Sequence, residues 1–190
     1  MAQFTKQKLA ETLKSLMIQK SLDKITVKEL VDACGVNRQT FYYHFEDIYD
    51  LMGWIYRTEA VDPISDISYA TWHEGYRSIF DYIDQNREFC ASTYRSLDKA
   101  HLDRLMDNVM REVVTKVFES SGNISALSEE EKTTIVQLYA HSLSGAILEW
   151  VAAGFEPAPD VVASQVFRAF DGTLPLMVAR LCDNREEQAE

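Results

Sequence analysis

A short stretch of the chain carries side chains that can hydrogen-bond to the edges of DNA bases. Arg38 and Gln39 are residue types that make paired hydrogen bonds to guanine and adenine in the major groove. Hydroxyl and imidazole groups follow them closely, and such groups can reach phosphate oxygens. These residues are Thr40, Tyr42, Tyr43 and His44. The chemistry that this stretch offers is recognition of double-stranded DNA.

A short helix would place these side chains on one surface. At about 100° per residue, Phe41 and Phe45 turn to one side, and Gln39 and Tyr43 turn to the opposite side. Exposed tyrosine rings gain little on a merely solvated face, because their apolar area stays in water. The alternative is a helical hairpin whose aromatic side chains pack against a neighbouring element. The combination of spacing, helix caps and polar outer face favours a surface that binds DNA.

The residues before this helix are typical of a helix-turn-helix. Thr26 and Glu29 form a predicted capping box, in which the hydroxyl and the carboxylate each satisfy a free backbone amide. Gly35 supplies the tight turn that follows, and Asn37 can cap the short helix. The apolar residues that we expect to face inward are Leu30, Val31 and Cys34.

Helical periodicity continues along nearly the whole chain, which predicts an all-α fold. We expect a three-helix N-terminal helix-turn-helix domain in residues 1–50 and a larger helical domain in residues 51–190. Ser128 and Glu131 predict a second capping box, and Pro175 should kink or split the last helix. The predicted helices are Thr5–Lys20, Thr26–Cys34, a short helix from Asn37 to His44 or Phe45, Ile48–Thr58, Tyr69–Gln85, Arg87–Ser96, Lys99–Ser120, Glu129–Ala153 and Val161–Cys182.

No residues of the chain form a recognisable catalytic or metal-binding pattern. The four histidines lack metal-ligand spacing, and the three cysteines are too far apart for a CxxC site. His101 with nearby aspartates could be imagined as a metal cluster, but a solvated acidic helix face is the favoured interpretation, because His101 and Asp103 point in different directions. We therefore expect no enzyme activity, no catalytic residues and no cofactor or metal. No apolar run is long enough to span a membrane, and we expect a reduced, cytoplasmic setting.

The net charge of −11 is unusual for a protein that binds DNA, but it is unevenly distributed. Residues 1–50 contain seven basic and seven acidic residues, so this part is neutral. The whole excess of negative charge lies in residues 51–190. This distribution allows DNA binding only if the N-terminal part touches the DNA and the acidic part is held away from it.

Two segments together closely resemble the DNA-binding motif of the TetR family of transcription regulators. They are Ile25–Leu30 and Gly35–Phe45. Tyr42–Phe45 with Asp47, Tyr49, Asp50, Leu51 and Trp54 are similar to the subgroup that includes activators of dihydroxyacetone kinase operons. The resemblance covers about the first sixty residues. One departure is Ile48, where many members of the family have a lysine that can contact a phosphate.

The resemblance implies a homodimer whose two short helices enter successive major grooves about 34–36 Å apart. We expect the subunits to dimerise through the last two long helices, because their stretches of small residues at Ser142–Ala146 and Val162–Ser164 permit close approach in an antiparallel four-helix bundle. The resemblance places Val36, Phe41 and Phe45 in the core. The residues that it assigns to DNA contact are Thr26, Lys28, Arg38, Gln39, Thr40, Tyr42, Tyr43 and His44.

We therefore expect sequence-specific DNA binding, controlled by a small-molecule or protein effector that binds the C-terminal domain. The alternative is a protein-interaction co-regulator, in which the acidic domain docks a partner and the N-terminal domain has weak DNA affinity. The neutral charge of residues 1–50 and the presence of Ile48 favour this alternative slightly.

Overall fold

The computed structural model describes residues 2–122 and 124–189, and it contains helices and no β-strand in this part of the chain. The predicted all-α fold class is confirmed. The N-terminal part, called the head below, contains α1 Ala2–Gln19, α2 Val27–Cys34, α3 Arg38–His44 and the start of α4 Ile48–Tyr56. A 3₁₀ turn, Leu22–Lys24, lies between α1 and α2.

The head is held together by the apolar faces of its first two helices. In α1, Leu9, Leu13 and Met17 are buried and Leu16 is half-buried, as the helical spacing predicts. α1 packs along α2, whose inward-facing residues are also buried as predicted. Those residues are Leu30, Val31 and Cys34.

The turn between α2 and α3 follows the predicted capping pattern with one exception. The Thr26 hydroxyl accepts a hydrogen bond from the amide of Glu29 at 3.2 Å, and Gly35 adopts a left-handed conformation with φ 70°. The reciprocal half of the predicted capping box is wrong, because the Glu29 carboxylate pairs with the Lys20 ammonium instead. A charged partner from the end of α1 binds that carboxylate more strongly than a backbone amide does.

The remaining helices form the larger part of the molecule, called the body below. α4 continues through a π-helical turn, Arg57–Val61, and a 3₁₀ turn, Asp62–Ile64, into the body. The capping box of Ser128 and Glu131 at the start of α8 is confirmed, and α7 and α8 make the largest contact between two helices. The body helices are α5 Trp72–Gln85, α6 Arg87–Ser96, α7 Lys99–Glu119, α8 Glu129–Ala152, α9 Pro159–Phe170 and α10 Thr173–Ala189.

The last predicted helix is split, but not at the proline. The chain breaks at Asp171–Gly172, where Gly172 has φ 72°, and so Val161–Cys182 is not one helix. Pro175 lies in the first turn of α10. There its missing N–H costs nothing, because the first amides of a helix have no intrahelical acceptor. The prediction of a split was correct and its assignment to Pro175 was wrong.

The packing of α5 predicts opposite effects for two glycine substitutions. A Cβ on Gly75 would lie 2.3 Å from Cδ1 of Ile67, whereas a Cβ on Gly53 in α4 would have no neighbouring heavy atom within 4 Å. Gly75→Ala should therefore lower the free energy of unfolding by about 1–3 kcal/mol. Gly53→Ala should raise it by up to about 1 kcal/mol, because alanine favours the helix. Urea denaturation measures both, and equal stability of the two variants would contradict the tight Ile67–Gly75 contact.

Candidate nucleic-acid interface

The inner face of α3 is formed by two phenylalanines. Phe41 is fully buried and Phe45 is buried, with their ring centroids 6.0 Å apart. Val36, which we expected in the core, is half-buried and packs against it. This packing fixes α3 against α2 and the rest of the head, and it orients the opposite face of α3 toward solvent.

The outer face of α3 carries the side chains that could read DNA bases. Tyr43 is 81% exposed and Tyr42 is 58% exposed. Arg38 and Gln39 are also exposed. The outward orientation that the helical spacing predicts is thus observed for all four side chains, while their contact with DNA stays a prediction.

Two other predicted contact residues on α3 also have structural roles. Thr40 is half-buried, and both its amide and its hydroxyl donate to Oδ1 of Asn37, at 2.8 and 3.0 Å. His44 is half-buried, with its ring 4.9 Å from that of Tyr43. The Thr40 hydroxyl would have to turn away from Asn37 to donate its proton to a phosphate oxygen, which only accepts hydrogen bonds.

The first turn of α2 presents the remaining two predicted contact residues to solvent. Thr26 and Lys28 are exposed. Within residues 2–122 and 124–189, Lys28 has no acidic group within ion-pair distance. Its ammonium is therefore available to an anionic ligand such as a phosphate.

Three acidic residues at the start of α4 shape the link that follows α3. Asp47 caps α4 by accepting from the amide of Asp50 at 2.8 Å, and the Asp50 carboxylate accepts from the amide of Glu46 at 3.0 Å. Ile48 is half-buried and packs against the hydrophobic core. Ile48 therefore stabilises the head by apolar contact. It cannot make the phosphate contact that a lysine at this position could make.

The charges of the head are more favourable to an anion than its net charge suggests. Lys14 pairs with Glu59 and Lys20 pairs with Glu29. Lys6 lies over the rings of Phe45 and Trp54, at 5.4 and 5.7 Å from their centroids. In the part of the head that the structure describes, four exposed cations have no ion-pair partner. They are Lys8, Lys24, Lys28 and Arg38.

A polar cluster joins α1 to the body. The Lys14 ammonium donates to Glu59 Oε2 at 2.6 Å and to Asn86 Oδ1 at 3.0 Å, and the Tyr82 hydroxyl donates to Glu59 Oε2 at 2.9 Å. Burial raises the pKa of Tyr82 well above its usual value, and the negative charge of Glu59 raises it further. Tyr82 is therefore a neutral donor that helps to satisfy this half-buried carboxylate.

A second contact connects the start of α4 with the body across an open cleft. The rings of Tyr49 and His101 stack with their centroids 4.4 Å apart and their planes inclined by 20°. His101 Nδ1 lies 2.9 Å from Oδ1 of Asp98, which caps α7. Hydrogen bonds from the His101 amide and imidazole lower the pKa of Asp98. The sequence offered no signal that His101, expected on an acidic solvated face, would meet Tyr49.

The body contains two small apolar cavities, each of about 40 Å³. One is lined by residues of α5, α7, α8 and α10, including Tyr76 and Leu143, and the other by residues of α4, α5, α6, α7 and α8, including Tyr56 and Cys90. A larger and more open pocket of about 440 Å³ lies between α7 and α8, with Arg111, Glu119 and Lys132 in its wall. The cleft between the start of α4 and α7 has a similar volume of about 440 Å³.

Among the described residues, no three or more histidine, cysteine or acidic side chains are grouped so that they could bind a metal ion. No helix in the same part of the chain is both long and apolar enough to cross a membrane.

Two family models match the chain. A model described as the C-terminal region of a transcriptional regulator matches residues 70–172. A model described as bacterial regulatory proteins of the tetR family matches residues 9–53. Together the two matches cover most of the head and most of the body.

A curated relative and several solved structures are similar to the chain. The relative is the HTH-type dhaKLM operon transcriptional activator DhaS of Lactococcus lactis subsp. lactis (strain IL1403), 29% identical over 86 residues, which are 45% of this chain and 46% of that protein. The match thus spans less than half of the relative's length. A structure of the dihydroxyacetone kinase operon activator DhaS has a TM-score of 0.65 at 20% identity and covers 90% of this chain and 97% of its own. A tetR-family transcriptional regulator from Streptomyces coelicolor has a TM-score of 0.54 at 16% identity, covering 92% of this chain and 89% of its own. Both structures support the fold.

The polar cluster at Lys14 predicts a measurable loss of stability when its carboxylate is removed. Glu59→Ala leaves the Lys14 ammonium and the Tyr82 hydroxyl without their shared acceptor, and both side chains of the ion pair are more than three-quarters buried. We expect the free energy of unfolding to fall by about 1–3 kcal/mol, less than for a fully buried pair. Urea denaturation measures the loss.

The matched control is an exposed ion pair in the body. Arg57→Ala removes a side chain that is 62% exposed and leaves Glu112 paired with Lys116 at 3.5 Å, so it should cost less than about 1 kcal/mol. An equal, small loss in both variants would show that the Lys14–Glu59 pair contributes no more than a surface pair.

Proposed function

The chain belongs to the tetR family of bacterial regulatory proteins and is a transcriptional regulator, and on that premise we propose that it binds operator DNA as a homodimer. The observation that carries the proposal is the outer face of α3. Tyr43 is 81% exposed there, beside the exposed Tyr42, on a helix whose inner face already supplies the packing. Large aromatic side chains that remain outside the core are typical of a binding surface.

In the proposed complex, α3 lies in the major groove and reads bases. Arg38 and Gln39 make paired hydrogen bonds to base edges, as their residue types favour. Hydroxyl and imidazole groups of the same helix, and the first turn of α2, contact the sugar–phosphate backbone. The proposed backbone contacts are Thr26, Lys28, Thr40, Tyr42, Tyr43 and His44.

We propose that residues 1–50 form the DNA-binding domain and residues 51–190 the dimerisation and effector domain. The boundary falls inside α4, which starts in the head and continues through two further turns into the body. α4 is therefore the covalent element through which a change in the body reaches the head. Since the protein acts on chromosomal DNA in this proposal, its location is cytoplasmic.

The proposed dimer interface is the exposed face of α8 together with α9 and α10. Three large apolar side chains of this region are exposed: Leu138 at 54%, Val161 at 46% and Leu176 at 71%. A Cβ on Gly145 would have no neighbouring heavy atom within 4 Å, so the partner subunit can approach α8 closely at this point. The small-residue stretches contribute only in part, because Ser144 and Ala163 are buried within the subunit. An antiparallel four-helix arrangement would cover this apolar surface.

Control by an effector is the second part of the proposal. An effector that binds the body more tightly at one separation of the two heads would favour that separation. The resulting change in DNA affinity is limited by the difference between the effector's affinities for the two states. The matched relative is named a transcriptional activator, which supports activation as the mode of control.

The protein co-regulator alternative is favoured by one observation. The two apolar cavities of the body measure about 40 Å³ each, whereas pockets for small molecules are typically 300–1,000 Å³ and mostly apolar. The pocket between α7 and α8 reaches about 440 Å³, but it is open and has the charged side chains Arg111, Glu119, Glu129 and Lys132 in its wall. An apolar small-molecule effector would therefore have to enlarge one of the apolar cavities, while a protein partner could bind the acidic outer surface as it stands. In that alternative, the purified protein alone has weak affinity for its operator.

Base readout by α3 predicts different effects for two kinds of substitution. Gln39→Ala and Arg38→Ala should each weaken operator binding by about 1–3 kcal/mol and relax the preference at the contacted base pairs. Lys28→Ala should weaken binding to operator and scrambled DNA by the same factor, because a phosphate contact carries no sequence information. Fluorescence anisotropy with point-substituted duplexes measures these changes. A loss of base preference in Lys28→Ala without one in Gln39→Ala would contradict the assignment.

The proposed dimer interface predicts that Leu138→Glu yields a monomer of about 21.8 kDa in sedimentation equilibrium at micromolar concentration, whereas the unaltered protein sediments as a dimer. A charge placed in the apolar interface would have to be buried without a partner. The control is Ile18→Glu, which changes a similarly exposed side chain on α1 and should leave the dimer intact. A monomeric unaltered protein, or dissociation by both variants, would refute this interface.

A further inference from the structure

Lys8 on α1 reaches across the head to the turn of the helix-turn-helix. Its Nζ lies 3.9 Å from the position that a Cβ on Gly35 would occupy. The side chain is exposed. In the described part of the chain, its ammonium has neither an acidic partner within ion-pair distance nor a hydrogen bond to a carbonyl.

The other lysines of α1 have partners that fix their ammonium groups. Lys14 is bound by Glu59 and Asn86, and Lys6 lies over the rings of Phe45 and Trp54. Lys6 and Lys14 thus stabilise the folded head through these contacts. Lys8 differs from them, because its ammonium group lies in solvent beside the turn that follows α2.

The position of Lys8 places a cation at each end of α2. Lys28 lies in the first turn of this helix, and the Lys8 ammonium lies beside Gly35, just after its last residue. Eight residues of helix span about 12 Å. Arg38 begins α3 three residues after Gly35, so their Cα atoms are at most about 11 Å apart. Lys8 and Arg38 therefore lie near the start of the proposed recognition helix, and Lys28 lies at the opposite end of α2.

A structural role for Lys8 would have a different physical basis. The C-terminus of α2 carries partial negative charge on its last carbonyls, and a nearby cation stabilises such an end. This role would affect folding, but it would not create a dependence of DNA affinity on salt. The geometry favours an additional role in binding, because the ammonium is exposed and makes no hydrogen bond to these carbonyls within the described residues.

We propose that Lys8 binds a phosphate of the operator backbone next to the groove that α3 enters. Each subunit supplies one such contact, so a dimer supplies two. The contact positions α3 on the duplex and adds affinity without adding base preference. The proposal rests on the proposed function, since it adds a contact to that same DNA interface.

Salt titrations of DNA binding test the role of Lys8. Lys8→Gln keeps a long polar side chain with good helix propensity and removes the charge. Because each neutralised phosphate contributes about 0.9 to the slope of log affinity against log salt, the slope should become shallower by up to about 1.8 for a dimer. Affinity for operator and scrambled duplexes should fall by the same factor. Lys8→Arg should keep the slope of the unaltered protein.

Two controls separate the possible outcomes. Lys132→Gln in α8 removes the same charge from the body and should leave the slope unchanged, which excludes an effect of net charge alone. Circular dichroism and sedimentation verify that each variant is a folded dimer. An unchanged slope in folded Lys8→Gln, or an altered base preference, would overturn the role of Lys8 and leave the proposed function standing. Absence of DNA binding by the unaltered protein at low salt would overturn the proposed function itself.

Discussion

The surface that we propose for DNA depends on the burial of two phenylalanines beneath a seven-residue helix. An isolated helix of this length is unstable in water, where about 12–15 residues are needed even for favourable sequences. α3 is therefore stable because Phe41 and Phe45 are buried. Burial of each ring stabilises the folded head by roughly 1.5–3 kcal/mol. The Asn37 cap and the left-handed Gly35 set where the helix begins. Because the inner face of α3 supplies the packing, the side chains of its outer face can serve binding.

The same packing connects recognition to the rest of the molecule through α4. The rings of Phe45 and Trp54 meet in a T-shaped contact with their centroids 5.9 Å apart, and α4 continues from there into the body. Farther along, Glu59 binds Lys14 of α1, so the head is joined to the body by a polar cluster as well as by the chain. Tyr49 stacked on His101 adds a contact near the start of α4. An effector of the kind proposed would act by changing which of these contacts forms. Its effect on DNA affinity would be limited by the difference between its affinities for the two arrangements of head and body.

The parts of the structure that depend on neighbours in the sequence could be predicted. The Asn37 and Ser128 caps, the turn at Gly35 and the inward direction of Phe41 follow from local spacing, because each involves residues within one or two helical turns. The break at Gly172 was assigned to Pro175, because the sequence pattern gives the period of a helix better than its end.

Contacts between distant segments could not be predicted. Lys14 meets Glu59 across 45 residues, and Glu29 binds Lys20 instead of its own helix end, since tertiary packing decides which charged groups become neighbours. For the candidate site, the sequence predicted which residue types lie on the outer face of α3. Neither the reach of Lys8 to the turn nor the stacking of Tyr49 on His101 left a pattern in the sequence.

The central claim is that the chain by itself recognises a specific DNA sequence through the head. The most direct test titrates the purified protein, without any partner, against the DNA upstream of its own gene and against a scrambled duplex of the same composition, at two salt concentrations. The account predicts that the protein prefers its own DNA by about a thousandfold or more, and that this affinity falls as salt rises. Equal affinity for the two duplexes at both salt concentrations would contradict it and would favour a co-regulator that depends on another protein.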